Sequence, residues 1–247
     1  FQLKAYELPE SSRTSRGQSM VNFLQLSAGE YVTEVVASGK KDDHTYLFMT
    51  TSQGIVKKTP IADFMKVRRS GMIALRLEEG DTLGWVRATT GSDEVILATK
   101  KGQAIRFRES DVRSMGRTAG GVRGIRLRSE DEVIGMNVVS GKEKNTYELL
   151  VMSETGFGKR TKLSQYKVQK RGGGGMRTAN ITSKTGDLVW ARALAPDDPK
   201  DNVVIVTRKG QIIRLELNDV PRLGRATQGV RIMRPRAGDV LSAATIM

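Results

Sequence analysis

Cysteine is absent from this chain of 247 residues, and His44 is its single histidine. The sequence therefore forms no disulfide and offers neither a thiolate nor a multi-histidine metal site. Its apolar runs have only the length of short strands, and the first residues lack the hydrophobic region of a signal peptide. These absences predict a soluble, cytoplasmic protein that holds no metal.

Signatures of nucleotide-binding enzymes are missing as well. No Gly-x-x-x-x-Gly-Lys-Ser/Thr loop occurs, and no dinucleotide fingerprint follows a strand. The carboxylates Asp81, Asp131 and Asp187 stand singly at turns, where we expect them to cap backbone groups instead of forming a catalytic pair. The chain is therefore predicted to have no catalytic residue and no cofactor.

Acidic residues are few relative to basic ones. Lys and Arg number 41 against 27 Asp and Glu, which gives a net charge of +14 and a pI of about 10.1. For a folded domain this balance indicates an acidic partner, with nucleic acid the first candidate and an anionic membrane surface the second. A membrane-surface role requires an amphipathic basic helix, and the glycine-punctuated strand pattern supplies none.

Glycines mark a repeated unit. Each unit has a turn glycine that is followed shortly by basic residues. About a third of a repeat later comes a second glycine, which opens a strand where apolar residues alternate with arginines. The turn glycines are Gly54, Gly102, Gly156 and Gly210, and the second glycines are Gly71, Gly121, Gly175 and Gly229. A period of about 50 residues indicates one supersecondary unit repeated in a propeller or solenoid.

Four short strands are predicted in each complete unit. In the second unit, residues 46–50 and 55–59 flank a turn and form a hairpin. Residues 72–77 and 83–88 supply two more strands. Four strands per unit is typical of a propeller blade. We therefore predict an all-β, propeller-like ring that forms one domain over residues 1–247.

The first unit is predicted to be incomplete. Residues 1–8, 20–26 and 32–37 have the pattern of strands, but no turn glycine and no first strand precede them. The predicted blades therefore cover approximately residues 1–40 (partial), 41–91, 92–144, 145–197 and 198–247.

Basic windows recur at the same place in successive units. Residues 112–129, 155–186 and 220–238 are rich in Lys and Arg and contain no acid. The central window holds Gln169-Lys170-Arg171-Gly172-Gly173-Gly174-Gly175, whose glycines free the backbone to approach a ligand closely. If the units close into a ring, these windows form a positive belt along the outer rim, which suits a curved duplex contacted through its phosphates.

The predicted contacts combine this glycine-rich stretch with basic residues of the other units. In the window 112–129, Ile125 and Leu127 alternate with Arg126 and Arg128, which indicates a half-buried strand with a cationic outer face. Besides residues 169–175, the predicted contacts are Lys57, Lys58, Arg68, Arg69, Arg117, Arg123, Arg126, Lys159, Arg160, Arg225 and Arg231.

The heptapeptide 169–175 resembles the box that marks the C-terminal domain of the DNA gyrase A subunit, whose usual form is Q-(K/R)-R-G-G-(K/R)-G. Residues 54–59, 120–127 and 227–231 are similar to the blade repeats of that domain, so the resemblance covers essentially the whole chain. It implies a β-pinwheel, a ring whose blades exchange strands with their neighbours and around which duplex DNA is bent.

The resemblance also implies protein partners and separate roles for the domains of the parent protein. The domain would be monomeric in isolation and non-catalytic. In the parent, an ATP-dependent type II topoisomerase that introduces negative supercoils, it would join a B subunit together with the remainder of its own polypeptide. Other domains would supply the DNA-cleaving tyrosine and the sites for ATP and Mg.

Two departures from the family pattern keep alternatives open. Gly174 stands where the box usually has a basic residue, and the family's box normally lies in the first blade, whereas here it lies in a later one. The C-terminal domain of the topoisomerase IV A subunit, which serves relaxation and decatenation, is the first alternative. A propeller-like protein-interaction scaffold is the second, and it predicts mixed binding sites on the flat faces and little dependence on salt.

Overall fold

The structure, a computed structural model, describes residues 1–12, 14–37, 43–68, 70–140, 144–196 and 202–247. In these ranges the regular structure is β-strand with short 3-10 helices. The strands are β1 (Tyr46–Thr51), β2 (Ile55–Pro60), β3 (Leu83–Thr89), β4 (Glu94–Thr99), β5 (Gln103–Arg108), β6 (Val122–Arg123), β7 (Val133–Val139), β8 (Glu148–Ser153), β9 (Phe157–Lys162), β10 (Met176–Arg177), β11 (Leu188–Leu194), β12 (Asn202–Thr207), β13 (Ile212–Glu216), β14 (Val230–Arg231) and β15 (Leu241–Ile246).

Each helix is a single 3-10 turn. The helical segments are Ala5–Glu7, Met20–Asn22, Ile61–Phe64, Glu109–Asp111, Lys144–Thr146, Leu163–Gln165 and Leu217–Asp219. Within the described ranges, no helix has the length and apolar character needed to cross a membrane. The all-β prediction is confirmed.

Four antiparallel sheets form the blades. Their strand orders, from the innermost strand outward, are β3-β1-β2-β6, β7-β4-β5-β10, β11-β8-β9-β14 and β15-β12-β13. In each four-stranded sheet a tight hairpin supplies the two middle strands, and in the three-stranded sheet it supplies β12 and the edge strand β13, as the turn glycines predict. Gly54 closes the first hairpin with a φ of +79°, a conformation that a residue without a Cβ adopts without strain.

The outermost strand of a blade comes from the following unit. β6 pairs with β2, β10 with β5 and β14 with β9, each over two residues. The exchange continues past the strand, because the N–H groups of Gly124, Thr178 and Ile232 donate to the carbonyls of the turn glycines Gly54, Gly102 and Gly156 at 2.8–2.9 Å. This strand exchange is the pinwheel connection that the resemblance implies.

The second glycines make this close approach possible. A Cβ on Gly121 would lie 2.7 Å from the Val56 carbonyl oxygen, and one on Gly175 would lie 2.5 Å from that of Ala104. Both residues also have positive φ, +88° and +69°. The exchanged strand therefore enters against the neighbouring backbone at a point where only glycine fits.

The hydrophobic core lies between successive sheets. Phe48 and Val56 of the first sheet pack with Val95 and Phe107 of the second, and equivalent buried clusters join the second sheet to the third and the third to the fourth. The innermost strands β3, β7, β11 and β15 surround a cavity of about 190 Å³. The second and third sheets thus pack against a neighbouring sheet on both faces of their hairpins, while their outermost strands stay at the surface.

The strands predicted at 1–8, 20–26, 32–37 and 72–77 are wrong. The described residues of 1–37 contain only two 3-10 turns, and apolar side chains such as Tyr6 and Val35 are 78% and 76% exposed. A strand needs a neighbour to satisfy its backbone groups. Residues 72–77 would form the exchanged strand of the first blade, and that blade has no hairpin in residues 1–12 and 14–37 to receive it.

We expect the first unit to open most readily. Amides in residues 1–12 and 14–37 should exchange with solvent orders of magnitude faster than those of β4, β5, β8 and β9, since ladder hydrogen bonds and buried side chains protect only the latter. Hydrogen exchange followed by mass spectrometry of peptic peptides measures this difference. Equal protection of β8 and of residues 1–12 and 14–26 would contradict the absence of a formed hairpin in those two ranges.

Candidate nucleic-acid interface

Three arginines occupy equivalent positions on the outermost strands. Arg123, Arg177 and Arg231 are evenly spaced along the chain, one repeat apart, and each ends a two-residue exchanged strand with its side chain exposed. We call them the outer arginine row. They lie opposite Ile55, Gln103 and Phe157 of the preceding blades, respectively. The fold thus repeats one exposed guanidinium on the edges of three successive blades.

Arg177 was missing from the predicted contacts, although the signal for it was present. It lies midway along the chain between Arg123 and Arg231, at the interval of the repeat that also separates Gly121 from Gly175 and Gly175 from Gly229. Comparing equivalent positions, instead of counting charges within windows, would have found it.

A second set of arginines lies in the loops beside this row, and two of its members brace it. Arg117, Arg171 and Arg225 are also one repeat apart and are half-buried in the loops before the second glycines. The Nη1 atoms of Arg171 and Arg225 donate to the carbonyl oxygens of Arg123 and Arg177 at 3.1 and 2.8 Å. Two of the predicted contacts, Arg171 and Arg225, therefore hold the backbone of the outer row and also contribute charge beside it.

The glycine-rich stretch is tied to the preceding unit through its main chain. The N–H of Gly172 donates to the Gly124 carbonyl at 2.6 Å, and the Gly173 carbonyl accepts from the N–H of Arg126 at 2.8 Å. Gly172 has a φ of +81°, whereas a Cβ on Gly174 would meet no atom within 4 Å. Gly174, where the family's box usually has a basic residue, thus faces open space.

The side chains of this stretch divide between surface and fold. Lys170 is exposed, while Gln169 and Arg171 are half-buried. Arg171 donates from Nε to the Asp111 carbonyl at 2.9 Å, in addition to its bond to Arg123. Gly175 packs against the neighbouring blade as described above. Lys170 is therefore the charge of this stretch that projects freely from the rim.

Four of the predicted contacts are buried, and the structure corrects their assignment to the surface. Lys57, Lys58, Lys159 and Arg160 are between 0% and 6% exposed. Lys58 and Arg160 form ion pairs with Glu109 and Glu148, at 3.8 and 3.2 Å. These cations neutralise acids inside the fold and cannot reach a ligand at the rim.

Lys57 and Lys159 bind backbone carbonyls instead. Lys159 Nζ donates to the carbonyl oxygens of Gly224, Arg225 and Thr227 at 2.7, 2.6 and 3.0 Å, and Lys57 Nζ donates to those of Ala74 and Arg117. Burial lowers the pKa of Lys159 to about 8, and the Arg225 guanidinium acts in the same direction. Burial and Arg117 likewise lower the pKa of Lys57.

The remaining predicted contacts lie at the surface or outside the described residues. Arg68 and Arg126 are exposed. The predicted alternation of faces is confirmed, since Ile125 is buried and Arg128 exposed, but the strand itself is confined to Val122–Arg123. Arg69 lies outside the described residues. Further exposed basic side chains, in these loops and at the end of β9, are Lys66, Arg76, Arg113, Lys162, Lys167, Arg222, Arg234 and Arg236.

Single carboxylates lie at the turns that precede the innermost strands β3, β7 and β11. Asp81 Oδ1 accepts from the N–H groups of Gln53 and Thr82 at 3.0 and 2.8 Å, and Asp131 Oδ1 accepts from that of Lys101 at 2.8 Å. These two are the turn caps that the sequence predicts, while Asp187 forms an ion pair with Lys101 at 3.0 Å. Among the described residues no group of His, Asp and Glu could hold a metal ion.

An alanine substitution should reduce the stability of the protein at Gly175, which packs against the neighbouring blade, but not at Gly174, which faces open space. Gly175→Ala places a Cβ 2.5 Å from the Ala104 carbonyl at a positive φ, and we expect it to lower the free energy of unfolding by about 2–4 kcal/mol. Gly174→Ala is the control and should change it by less than about 0.5 kcal/mol. Urea denaturation measures both, and equal effects would contradict the packing role of Gly175.

Comparison with known proteins identifies relatives along the whole chain. The model of a family described as DNA gyrase C-terminal domain, beta-propeller, matches residues 1–37, 45–89, 93–140, 147–195 and 201–246. The DNA gyrase A subunit of Staphylococcus epidermidis (strain ATCC 12228 / FDA PCI 1200) is 39% identical over 243 residues, which are 98% of this chain and 27% of that protein. The corresponding protein of Staphylococcus aureus (strain MRSA252) is 39% identical over 235 residues, 95% of this chain and 26% of that protein.

Solved structures share the fold. A structure titled as the DNA gyrase A C-terminal domain is 26% identical, with a TM-score of 0.81 over 99% of this chain and 78% of the other. The C-terminal domain of DNA topoisomerase IV is 21% identical, with a TM-score of 0.86 over 98% of this chain and 74% of the other. The chain spans about a quarter of the length of the two gyrase proteins. The five matched segments agree in number with the five predicted blades, whose bounds stay a prediction.

Proposed function

Because the chain belongs to the family of DNA gyrase C-terminal domains, we propose that it binds duplex DNA along its outer rim and wraps it. The observation that carries the proposal is the outer arginine row, which repeats an exposed guanidinium on the edges of three successive blades. A duplex that follows these edges meets the same charge from blade to blade and must curve with them.

The chemistry of the rim favours phosphate over base recognition. Exposed arginines and lysines provide donors for phosphate oxygens, and they stand on two-residue strands and loops that offer no helix or ribbon for a groove. Contacts of this kind position a duplex without reading its sequence. The binding is therefore non-specific in sequence and depends on the shape and charge of the DNA.

The parent protein is a gyrase-type, ATP-dependent type II topoisomerase in this proposal. The domain supplies DNA wrapping that supports negative supercoiling and has neither a catalytic residue nor a cofactor of its own. Its protein partners are a B subunit of the enzyme and the remainder of its own polypeptide, and other domains use ATP and Mg. The isolated domain is a monomer, and the parent works in the bacterial cytoplasm.

The affinity for DNA should fall steeply as the salt concentration rises, and this dependence should become weaker when the outer arginine row is removed. If the rim neutralises about six to ten phosphates, the slope of log K against log salt is about −5 to −9. Arg123→Ala/Arg177→Ala/Arg231→Ala should reduce its magnitude by about 3, since each contact contributes about 0.9. Fluorescence anisotropy with duplexes of different sequence measures both effects.

The matched control removes three cations from hairpin turns. Lys100→Ala/Arg208→Ala/Lys209→Ala changes the net charge equally but leaves the exchanged strands intact, and its slope should stay within about one of the parent's. A slope near zero for the unmodified domain favours the protein-interaction scaffold. Equal losses in the two triple variants would mean that net charge, and not the outer row, determines binding.

Wrapping should change the linking number of circular DNA. Relaxed plasmid is saturated with the domain, treated with a nicking-closing enzyme and deproteinised, and we expect a shift of its topoisomers because wrapped DNA stores writhe. The outer-row variant should lose most of the shift at saturation, and the hairpin-turn control should keep it. Tight binding with no shift would favour the topoisomerase IV alternative, in which DNA is bound without a supercoiling wrap.

A further inference from the structure

One position in the repeat alternates between lysine and isoleucine. The third residue after the turn glycine is Lys57, Ile105, Lys159 and Ile213 in successive units. Lys57, Ile105 and Lys159 are fully or almost fully buried. For each of these three, the following unit supplies a loop at the rim that ends at a second glycine. We call these loops, residues 116–121, 170–175 and 224–229, the rim loops.

Lys159 shows what a lysine does at this position. Its Nζ donates to the carbonyl oxygens of Gly224, Arg225 and Thr227, and it lies 3.0 Å from Thr227 Oγ1. One buried ammonium thus joins four oxygens of a single rim loop. Lys57 similarly binds the Arg117 carbonyl in the rim loop 116–121 of the following unit. Charge-assisted bonds of this kind are stronger than neutral ones and restrict the loop backbone.

The glycine-rich loop 170–175 lacks a buried ammonium, and its backbone bonds to the preceding unit are made by Gly172 and Gly173. Ile105 lies beneath it, with Cδ1 3.7 Å from the point where a Cβ of Gly173 would stand, and the Lys170 carbonyl oxygen lies 3.8 Å from the same point. Among the described residues, no hydrogen bond ends on the carbonyls of Lys170 or Arg171. Backbone freedom is therefore greatest at Gly174, which faces open space, and at Lys170 and Arg171, whose carbonyls no buried ammonium binds.

We propose that Lys57 and Lys159 are positioning residues that fix the rim loops of their neighbours, whereas loop 170–175 is the compliant contact that adjusts as DNA bends. The role in bending rests on the proposed DNA wrapping, while the fixing of loops does not. Lys159 acts through Arg225, which braces the Arg177 backbone of the outer row. Loop 170–175 presents the exposed Lys170, whose carbonyl accepts no hydrogen bond among the described residues.

The fixing of loops is tested without DNA. Lys159→Met removes the ammonium and keeps the length of the side chain, and amides in 224–229 should then exchange at least about tenfold faster while those in 170–175 stay unchanged. Ile105→Lys places an ammonium beneath the glycine loop, where the Lys170 carbonyl is available, and should slow exchange in 170–175. Ile213→Lys is the control, since no described rim loop follows it. Unchanged exchange in 224–229 of Lys159→Met would overturn the positioning role.

Compliance is tested by stiffening the glycine loop. Gly173→Ala/Gly174→Ala leaves the core untouched, because neither residue has a positive φ and a Cβ on either would meet no atom closer than 3.7 Å. This variant remains informative even if Ile105→Lys fails to fold. At saturating protein, we expect it to lose at least half of the linking-number shift while its affinity for a short linear duplex changes by less than about threefold.

The outcomes separate this inference from the proposed function. If the unmodified domain gives neither steep salt dependence nor a linking-number shift, the wrapping proposal and the compliance of loop 170–175 fall together, while the exchange data still decide the role of Lys159. If the domain wraps DNA and the double alanine variant keeps its full shift, wrapping stands and the compliance of loop 170–175 is refuted.

Discussion

The rim of this protein depends on the pairing of a two-residue strand with the hairpin of the preceding unit. That pairing carries Arg123, Arg177 and Arg231 to the outer edges of the blades. It also explains the second glycines, because the entering backbone passes within contact distance of its neighbour's carbonyls. The pairing also bears on the repeat length, since each unit must complete its own hairpin before its two-residue strand pairs with the hairpin of the preceding unit.

The basic residues divide into two populations that composition does not separate. Lys57 and Lys58 are neighbours on β2 and therefore point to opposite faces, yet both are buried. One reaches a rim loop of the following unit and the other meets Glu109. Strand alternation predicts that one of two neighbouring side chains faces solvent. It fails here because both faces of this hairpin are covered, one by the following unit at Glu109 and the other by the loops that carry Ala74 and Arg117.

Much of the fold could be predicted from the glycines, and part of the interface could not. The spacing of Gly54 and Gly121 from their equivalents predicts hairpins, repeated units and an all-β fold, as observed. The strand predicted at 72–77 is absent, because alternation describes which face is buried and not whether a partner strand exists. Arg177 could be predicted by its spacing, whereas the bracing of the row by Arg171 and Arg225 depends on contacts between units.

The rim loops are braced unevenly, and in the proposed wrapping of DNA this bears on how a duplex would be bent. Ordering flexible groups on binding costs free energy, so a braced cation gives more net attraction than a mobile one. Arg123 and Arg177 stand on backbone that loop arginines hold, and Lys159 fixes the loop that carries Arg225. Loop 170–175 has the opposite character, with open space at Gly174 and an apolar floor at Ile105. In the proposed complex, such a rim would fix the path of DNA at the braced arginines and accommodate local irregularity of the duplex at the glycine loop.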